Sequence, residues 1–243
     1  MNLKRLALPI LSALAISLPL PTSAAELQRS DVEQIVREYL LAHPEILIEM
    51  SNSLRNKQEA EQEKADASLL KQYRDEIFNN AQDPVGGNPK GTLTIVEFFD
   101  YNCGYCKRAK PFISEVLSEN KEIRYIYKEF PILTETSYLA AKVSLAVQQL
   151  HADRYETFHN NLMERSAPIK DEGELAKAVV AAGMKWDEIK KKSQDPEIEK
   201  QLIATRQLAQ QLNLTGTPAF IIGETVLRGA PRSADDIRAI LKK

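Results

Sequence analysis

The spacing of hydrophobic positions changes period along this chain, and each change predicts a different element. Val32, Ile35, Val36, Tyr39 and Leu40 recur at helical spacing, and Ser30 followed three residues later by Glu33 reads as a capping box, so a first amphipathic helix is predicted there. His43-Pro44 interrupts it, because proline cannot donate the helical hydrogen bond, although Pro44 also suits the first position of a second helix. Val36, Leu40, His43, Leu47, Met50 and Leu54 follow an alternating four-three spacing like a short coiled-coil seam. Such helices either lie on their own main domain or pack against copies of themselves. The next stretch, RNKQEAEQEKADAS (55–68), has almost nothing apolar to bury, and a helix polar all round commonly bridges through solvent between modules, which favours self-association.

Leu69, Leu70, Tyr73 and Ile77 resume an apolar face, and DPVGGNPKG (83–91) is dense in turn formers. TLTIVEFF (92–99) is apolar on both faces apart from Glu97, as a central parallel strand covered by helices should be. A helix follows at the cysteines, and Pro111 predicts a kink in it. EIRYIYKEFPI (122–132) is a second strand, β-branched and aromatic, ended by Pro131. Only helical patterns occupy residues 137–212. TPAFIIGETVLRG (217–229) then reads as a hairpin turning at Gly223-Glu224, and SADDIRAILKK as a closing amphipathic helix. The order β-α-β, helical block, β-β-α predicts a small α/β domain with a helical insertion. The predicted organisation is a helical oligomerisation segment over 26–56, a polar helical linker over 57–82, and the main domain over 83–243.

The amino-terminal residues need a separate reading. Lys4 and Arg5, the apolar run from Leu6 to Leu20, and the small residues Ser23, Ala24 and Ala25 form a signal-peptide pattern over 1–25, with cleavage near Ala25 or Glu26. Export is therefore predicted. The formal net charge of -2 in 243 residues gives no electrostatic reason to expect nucleic-acid binding.

Both cysteines of the chain lie in EFFDYNCGYCKRAKPF (97–112), separated by two residues. As a staple, a bridge closing so short a loop removes only about 2 kcal/mol of unfolded-state entropy. As a zinc clamp the pair lacks partners, since there is no third cysteine and His43, His151 and His159 are distant in sequence. Two thiolates alone could hold a soft ion such as Cu(I), which leaves a copper-sequestering protein as one reading. No Met-rich or His-rich tract supports it. A reactive pair fits best. The strand-loop-helix pattern puts Cys103 at a helix N-terminus, where free N–H groups favour a thiolate nucleophile, and Cys106, one turn on and more deeply covered, becomes the resolving thiol. No cofactor or metal is called for.

TGTPAF (215–220) recurs far downstream at the mouth of a predicted strand, and here the chain resembles the thioredoxin-fold families. By that resemblance Thr217-Pro218 is a cis peptide facing the cysteines, Pro218 shapes the substrate groove, the Thr217 backbone pairs with an extended substrate, and Gly104 and Tyr105, between the cysteines, also bind substrate. EFFDYNCGYC, the helical block and TGTPAF together resemble the bacterial DsbA family of periplasmic thiol-disulfide oxidoreductases, across roughly residues 92–243. Glu97, six residues before Cys103, occupies the position of that family's buried glutamate, proposed to accept protons during exchange. Its place as the single acid of a buried strand independently suggests a raised pKa, and a hydrogen-bonded structural glutamate is the equal alternative.

The N-terminal helices together with CGYC resemble the ScsC-like branch (suppressor of copper sensitivity), whose helices form a trimerisation stalk. The resemblance implies a periplasmic homo-oligomer, a trimer by that likeness. It also implies disulfide-containing exported proteins as substrates, a membrane thiol reductase or oxidase as partner, and an isomerase that reshuffles wrong disulfides. A monomeric DsbA-like dithiol oxidase is the rival within the same class.

Overall fold

The structure, a computed structural model, describes residues 28–242. The predicted signal peptide over 1–25 lies outside them. The chain divides into two compact units, the first ending at Arg55 and the second beginning at Asn56.

In the first unit, helix α1 (Arg29–Ala42) is followed after His43-Pro44 by the start of helix α2 (Glu45–Gln72). The cap differs from expectation. Gln28 is the N-cap, its backbone N–H donates to Asp31 Oδ2 at 3.3 Å, and Ser30 and Glu33 lie inside the helix. Helix α1 buries none of its residues. Val36, Leu40, Leu47, Met50 and Leu54 of the predicted seam are all exposed.

The second unit opens with the rest of α2, then α3 (Arg74–Phe78) and a short strand β1 (Val85–Gly87). Strand β2 (Leu93–Phe99), helix α4 (Gly104–Glu119) and strand β3 (Ile123–Glu129) form the β-α-β unit. Pro111 sits inside α4, which continues past it. The insertion comprises α5 (Glu135–Leu150), α6 (Tyr155–Met163), α7 (Glu172–Ala181), α8 (Trp186–Lys192) and α9 (Pro196–Gln211), each on one of the helical patterns read from the sequence. Strands β4 (Ala219–Ile222) and β5 (Thr225–Arg228) make the hairpin, and α10 (Ala234–Leu241) closes the chain.

The sheet order is β1-β3-β2-β4-β5, with β2 and β3 parallel and the other pairings antiparallel. This is a thioredoxin-like sheet with a helical insertion. Alternation along β2 feeds two cores. Ile95 and Phe99 join Tyr125 and Tyr127 of β3, Phe220 of β4 and Cys106 of α4 on one face. Val96 and Phe98 meet Ile126, Ile221, Leu208, Leu70 and Ile77 on the other.

Two expectations change here. The stretch read as a polar linker over 57–82 contributes Leu70 and Ile77 to the second core, so the main domain reaches well before residue 83. Asp66, in the stretch that appeared to have nothing to bury, is itself buried and receives two hydrogen bonds of 2.8 Å from the Arg228 guanidinium on β5. A polar side chain was the docking group, which is why hydrophobic spacing did not reveal it. Strand β1 was also unexpected in a glycine-rich turn sequence. It pairs as an edge through its backbone, with Gly87 at a positive φ of 63° where a Cβ would lie 2.6 Å from the Ile123 carbonyl.

Candidate active site

Strand β2 ends at Phe99, and the loop 100–102 delivers Cys103 to the N-cap of α4. Asp100 shapes that loop. Its carboxylate accepts from Asn102 N–H at 2.8 Å and from the N–H groups of Ile132 and Leu133 at 2.9 and 3.0 Å, while its carbonyl accepts from Cys103 N–H at 3.0 Å. Asn102 ties the loop to the insertion. Its amide donates to Thr134 and Thr136 hydroxyls at 2.9 and 3.0 Å, and its Oδ1 accepts from Ile169 N–H at 2.7 Å.

Both cysteines are free and buried. Cys106 N–H points at Cys103 Sγ at 3.4 Å, and in the thiol form Sγ–H donates to the Thr217 carbonyl at 3.2 Å. The two motifs, 114 residues apart, thus meet at one sulfur. The Thr217-Pro218 peptide is cis, and the Pro218 carbonyl accepts from Gly229 N–H at 2.9 Å, fastening the loop to the β5 end.

The Cys103 pKa falls from an ordinary 9.0 to about 5. The Cys106 side chain donating to it contributes most, and the N–H groups of Cys106 and Tyr105 add to this against the opposing effect of burial. Cys106 moves the other way, pushed up first by burial, then by that same contact with Cys103 and by the charges of Glu97 and Cys103. One sulfur is poised as thiolate and the other held as thiol. The combination suits a nucleophile and a resolving group. Gly104 and Tyr105 occupy the first turn of α4 and are exposed, and the Arg108 guanidinium lies 3.9 Å from the Tyr105 ring centroid.

Glu97 lies in β2 on the cysteine face of the sheet, and its carboxylate accepts from the Tyr125 hydroxyl at 2.5 Å. Burial raises its pKa from 4.5 to about 7, with Tyr125 and the Lys110 charge opposing and the Cys103 charge adding. Tyr125 was missed at the sequence level. The parallel register that pairs Ile95 with Tyr125 and Glu97 with Tyr127 was the signal, because alternate residues of neighbouring strands share a face.

A second buried carboxyl escaped notice. Glu129, paired in register with Phe99, accepts from the hydroxyls of Tyr101 at 3.2 Å and Tyr155 at 3.3 Å, and burial raises it to about 8. Tyr101 also meets Ser144 Oγ at 2.7 Å and His159 Nδ1 at 3.1 Å, and burial holds His159 well below its usual range. This network joins the sheet to α5 and α6. Among the described residues no group of three or more His, Cys, Asp or Glu is arranged to hold a metal ion.

The DSBA-like thioredoxin domain model matches residues 94–236, and the copper resistance protein ScsC N-terminal domain model matches residues 28–61. Disulfide bond formation protein D of Bacillus subtilis is 25% identical over 171 residues, 66% of this chain and 76% of that protein. The thiol-disulfide exchange protein alpha-DsbA2 from Wolbachia pipientis superposes with a TM-score of 0.69 at 31% identity, covering 74% of this chain and 96% of that one. Proteus mirabilis ScsC in a transitional conformation gives a TM-score of 0.66 at 30% identity, covering 90% of this chain and 97% of that one.

Proposed function

The chain belongs to the DSBA-like thioredoxin-domain family and joins to it an ScsC-type N-terminal domain, and from that premise we propose that it is an exported, periplasmic disulfide isomerase working as a homo-oligomer, a trimer on the ScsC likeness. Its chemistry as a thiol-disulfide oxidoreductase of the DsbA/ScsC type is common to the isomerase and to a dithiol oxidase. The observation that carries the finer reading is the uncovered apolar stripe of the first unit: Val32, Ile35, Val36, Leu47, Met50 and Leu54 are each at least 45% exposed. Contiguous apolar surface of this kind marks an interaction site, and copies of the same helices satisfy it.

The reaction runs through the two sulfurs. The Cys103 thiolate attacks one sulfur of a misplaced substrate disulfide, forming a mixed disulfide and expelling the other substrate sulfur as thiolate. Return of a different substrate thiolate onto the mixed bond reshuffles the pairing with no net electron transfer. Alternatively Cys106 attacks Cys103 Sγ, leaving a Cys103–Cys106 disulfide and a substrate reduced by two electrons. Its proton passes to the Glu97 carboxylate, which a pKa of about 7 suits to accept and return it. A membrane thiol reductase then restores the pair. Gly104 and Tyr105 border the bound substrate, and the Thr217 backbone and Pro218 receive it as an extended strand.

The test compares three forms in the refolding of a scrambled-disulfide protein, with masses measured by light scattering. The mature chain should be oligomeric and active, Cys103→Ser inactive, and a chain lacking residues through Asn56 monomeric with isomerase activity lost. Unchanged refolding with Cys103→Ser would sink the exchange chemistry; an unchanged mass on truncation would sink the oligomer.

A further inference from the structure

We propose that the cleft beside Gly104, between the first turns of α4 and the end of α6 with the 164–166 segment that follows it, recognises acidic stretches of the polypeptide with which Cys103 exchanges disulfides. The inference rests on the exchange chemistry of the preceding section and adds to it a preference among substrates.

The cleft encloses about 420 Å³ and is lined by Lys107, Arg108, Lys110 and Arg165 against a single carboxylate, Glu164. A chain of net charge -2 has therefore concentrated positive charge at one edge of its reactive motif. Among the described residues none of Lys107, Arg108 and Lys110 makes a salt bridge, although the charges of Glu97, Glu156 and Glu164 act on Lys110 from farther off. Lys107 Nζ donates to the carbonyls of Arg165 and Ala167 at 2.9 and 3.3 Å, and Lys110 Nζ to Ser114 Oγ at 3.2 Å. Arg108 stacks on Tyr105. Only Arg165 meets an acid, with Nη2 2.7 Å from Glu174 Oε2, and its Nε is buried without a hydrogen-bond partner. Burial disfavours the charged forms of Lys107 and Lys110, and the carboxylates already near them, Asp100 for Lys107 and Glu97, Glu156 and Glu164 for Lys110, offset only part of this, so carboxylates supplied from outside would relieve the remainder.

The arrangement suits a chain better than a compact anion. The cations spread over residues 107–110 on one wall and 165 on the other instead of converging on one point. Arg108 is exposed at the rim, and stacking on Tyr105 leaves its planar edge free to receive a carboxylate in a two-point contact. Gly104, next to Cys103 in sequence, lines the cleft and is open to solvent, with nothing within 4 Å of where a Cβ would stand.

The experiment uses the reduced mature protein and symmetric disulfides of short cysteine peptides whose flanks carry aspartate, asparagine or lysine. Second-order exchange rates are measured by acid quench and chromatography. The aspartate peptide should react about tenfold faster than the asparagine peptide at low salt, the lower end of what electrostatic steering supplies. That ratio should fall towards one at 1 M salt, where screening acts within about 3 Å. Arg108→Gln combined with Lys110→Gln should bring the low-salt ratio close to one. The ratio is the readout because removing cations also alters Cys103 itself, equally for all peptides. A wild-type ratio near one, with exchange otherwise normal, overturns the acidic preference and leaves the exchange chemistry standing; no exchange with any peptide overturns both. An equal rate advantage and salt dependence for glutathione disulfide would assign the cleft to a small anionic disulfide and overturn the commitment to a polypeptide.

Discussion

Replacing Cys106 with alanine removes the donor that contributes most to holding the Cys103 thiolate. With a pKa of about 5, Cys103 is about 99% ionised at pH 7. A hydrogen bond to a charged group contributes about 1.5–3 kcal/mol. At 1.36 kcal/mol per pH unit, its loss should raise the midpoint by about one to two units. The midpoint should remain below 9.0, because the backbone N–H groups of residues 105 and 106 and the N-terminus of α4 still face the sulfur. The assay is ultraviolet thiolate absorbance of the reduced protein against pH. In the wild type the step is that of a single thiolate, since Cys106 stays protonated well beyond the range scanned. A variant midpoint still at about 5 would show that the side-chain contact contributes nothing; a return to 9.0 would show that the helix terminus contributes nothing.

Glu97→Gln tests the buried carboxyl. The folded protein holds this proton to about pH 7 while the unfolded chain releases it near 4.5, so native stability is present below 4.5 and lost as pH rises through that window. Between pH 4 and pH 8 the wild-type unfolding free energy in urea should fall by about 3 kcal/mol more than that of the variant, and parallel profiles would refute the raised pKa. Arg228→Ala leaves Asp66 buried without its guanidinium, which should cost about 1.5–3 kcal/mol and speed amide exchange in the last turns of α2. Unchanged exchange there would mean that Leu70 alone docks the helix.

Most of the fold was legible because the domain obeys its periodicities. From Ile95 onward and Glu97 aside, β2 is apolar on both faces because both cores need it, and each insertion helix carries its own stripe. The placement of Cys103 followed from strand, loop and helix in succession. What escaped reading depends on partners distant in sequence. Asp66 lay in a stretch with almost nothing apolar until β5 supplied Arg228, and Glu129 is covered by Tyr101, from before α4, and Tyr155, from the insertion. Ser30 and Glu33 offered a plausible cap, yet the helix began earlier, at a glutamine whose own preference for that position is weak. Val85–Gly87 pairs through backbone alone, so no side-chain pattern announces it.

The 114 residues between Cys103 and Thr217 impose an order on the making of the site. A chain synthesised from its N-terminus completes the cysteine motif, with the Cys106 and Tyr105 donors that arm it, before any of α5 to α9 exists. The Thr217-Pro218 loop arrives last, within the final 27 residues, and takes its place only when β4 pairs with β2. Until the sheet is complete, Cys103 lacks the Thr217 carbonyl that accepts from its thiol in the finished site, so closing β4 against β2 is the step that brings the two motifs together.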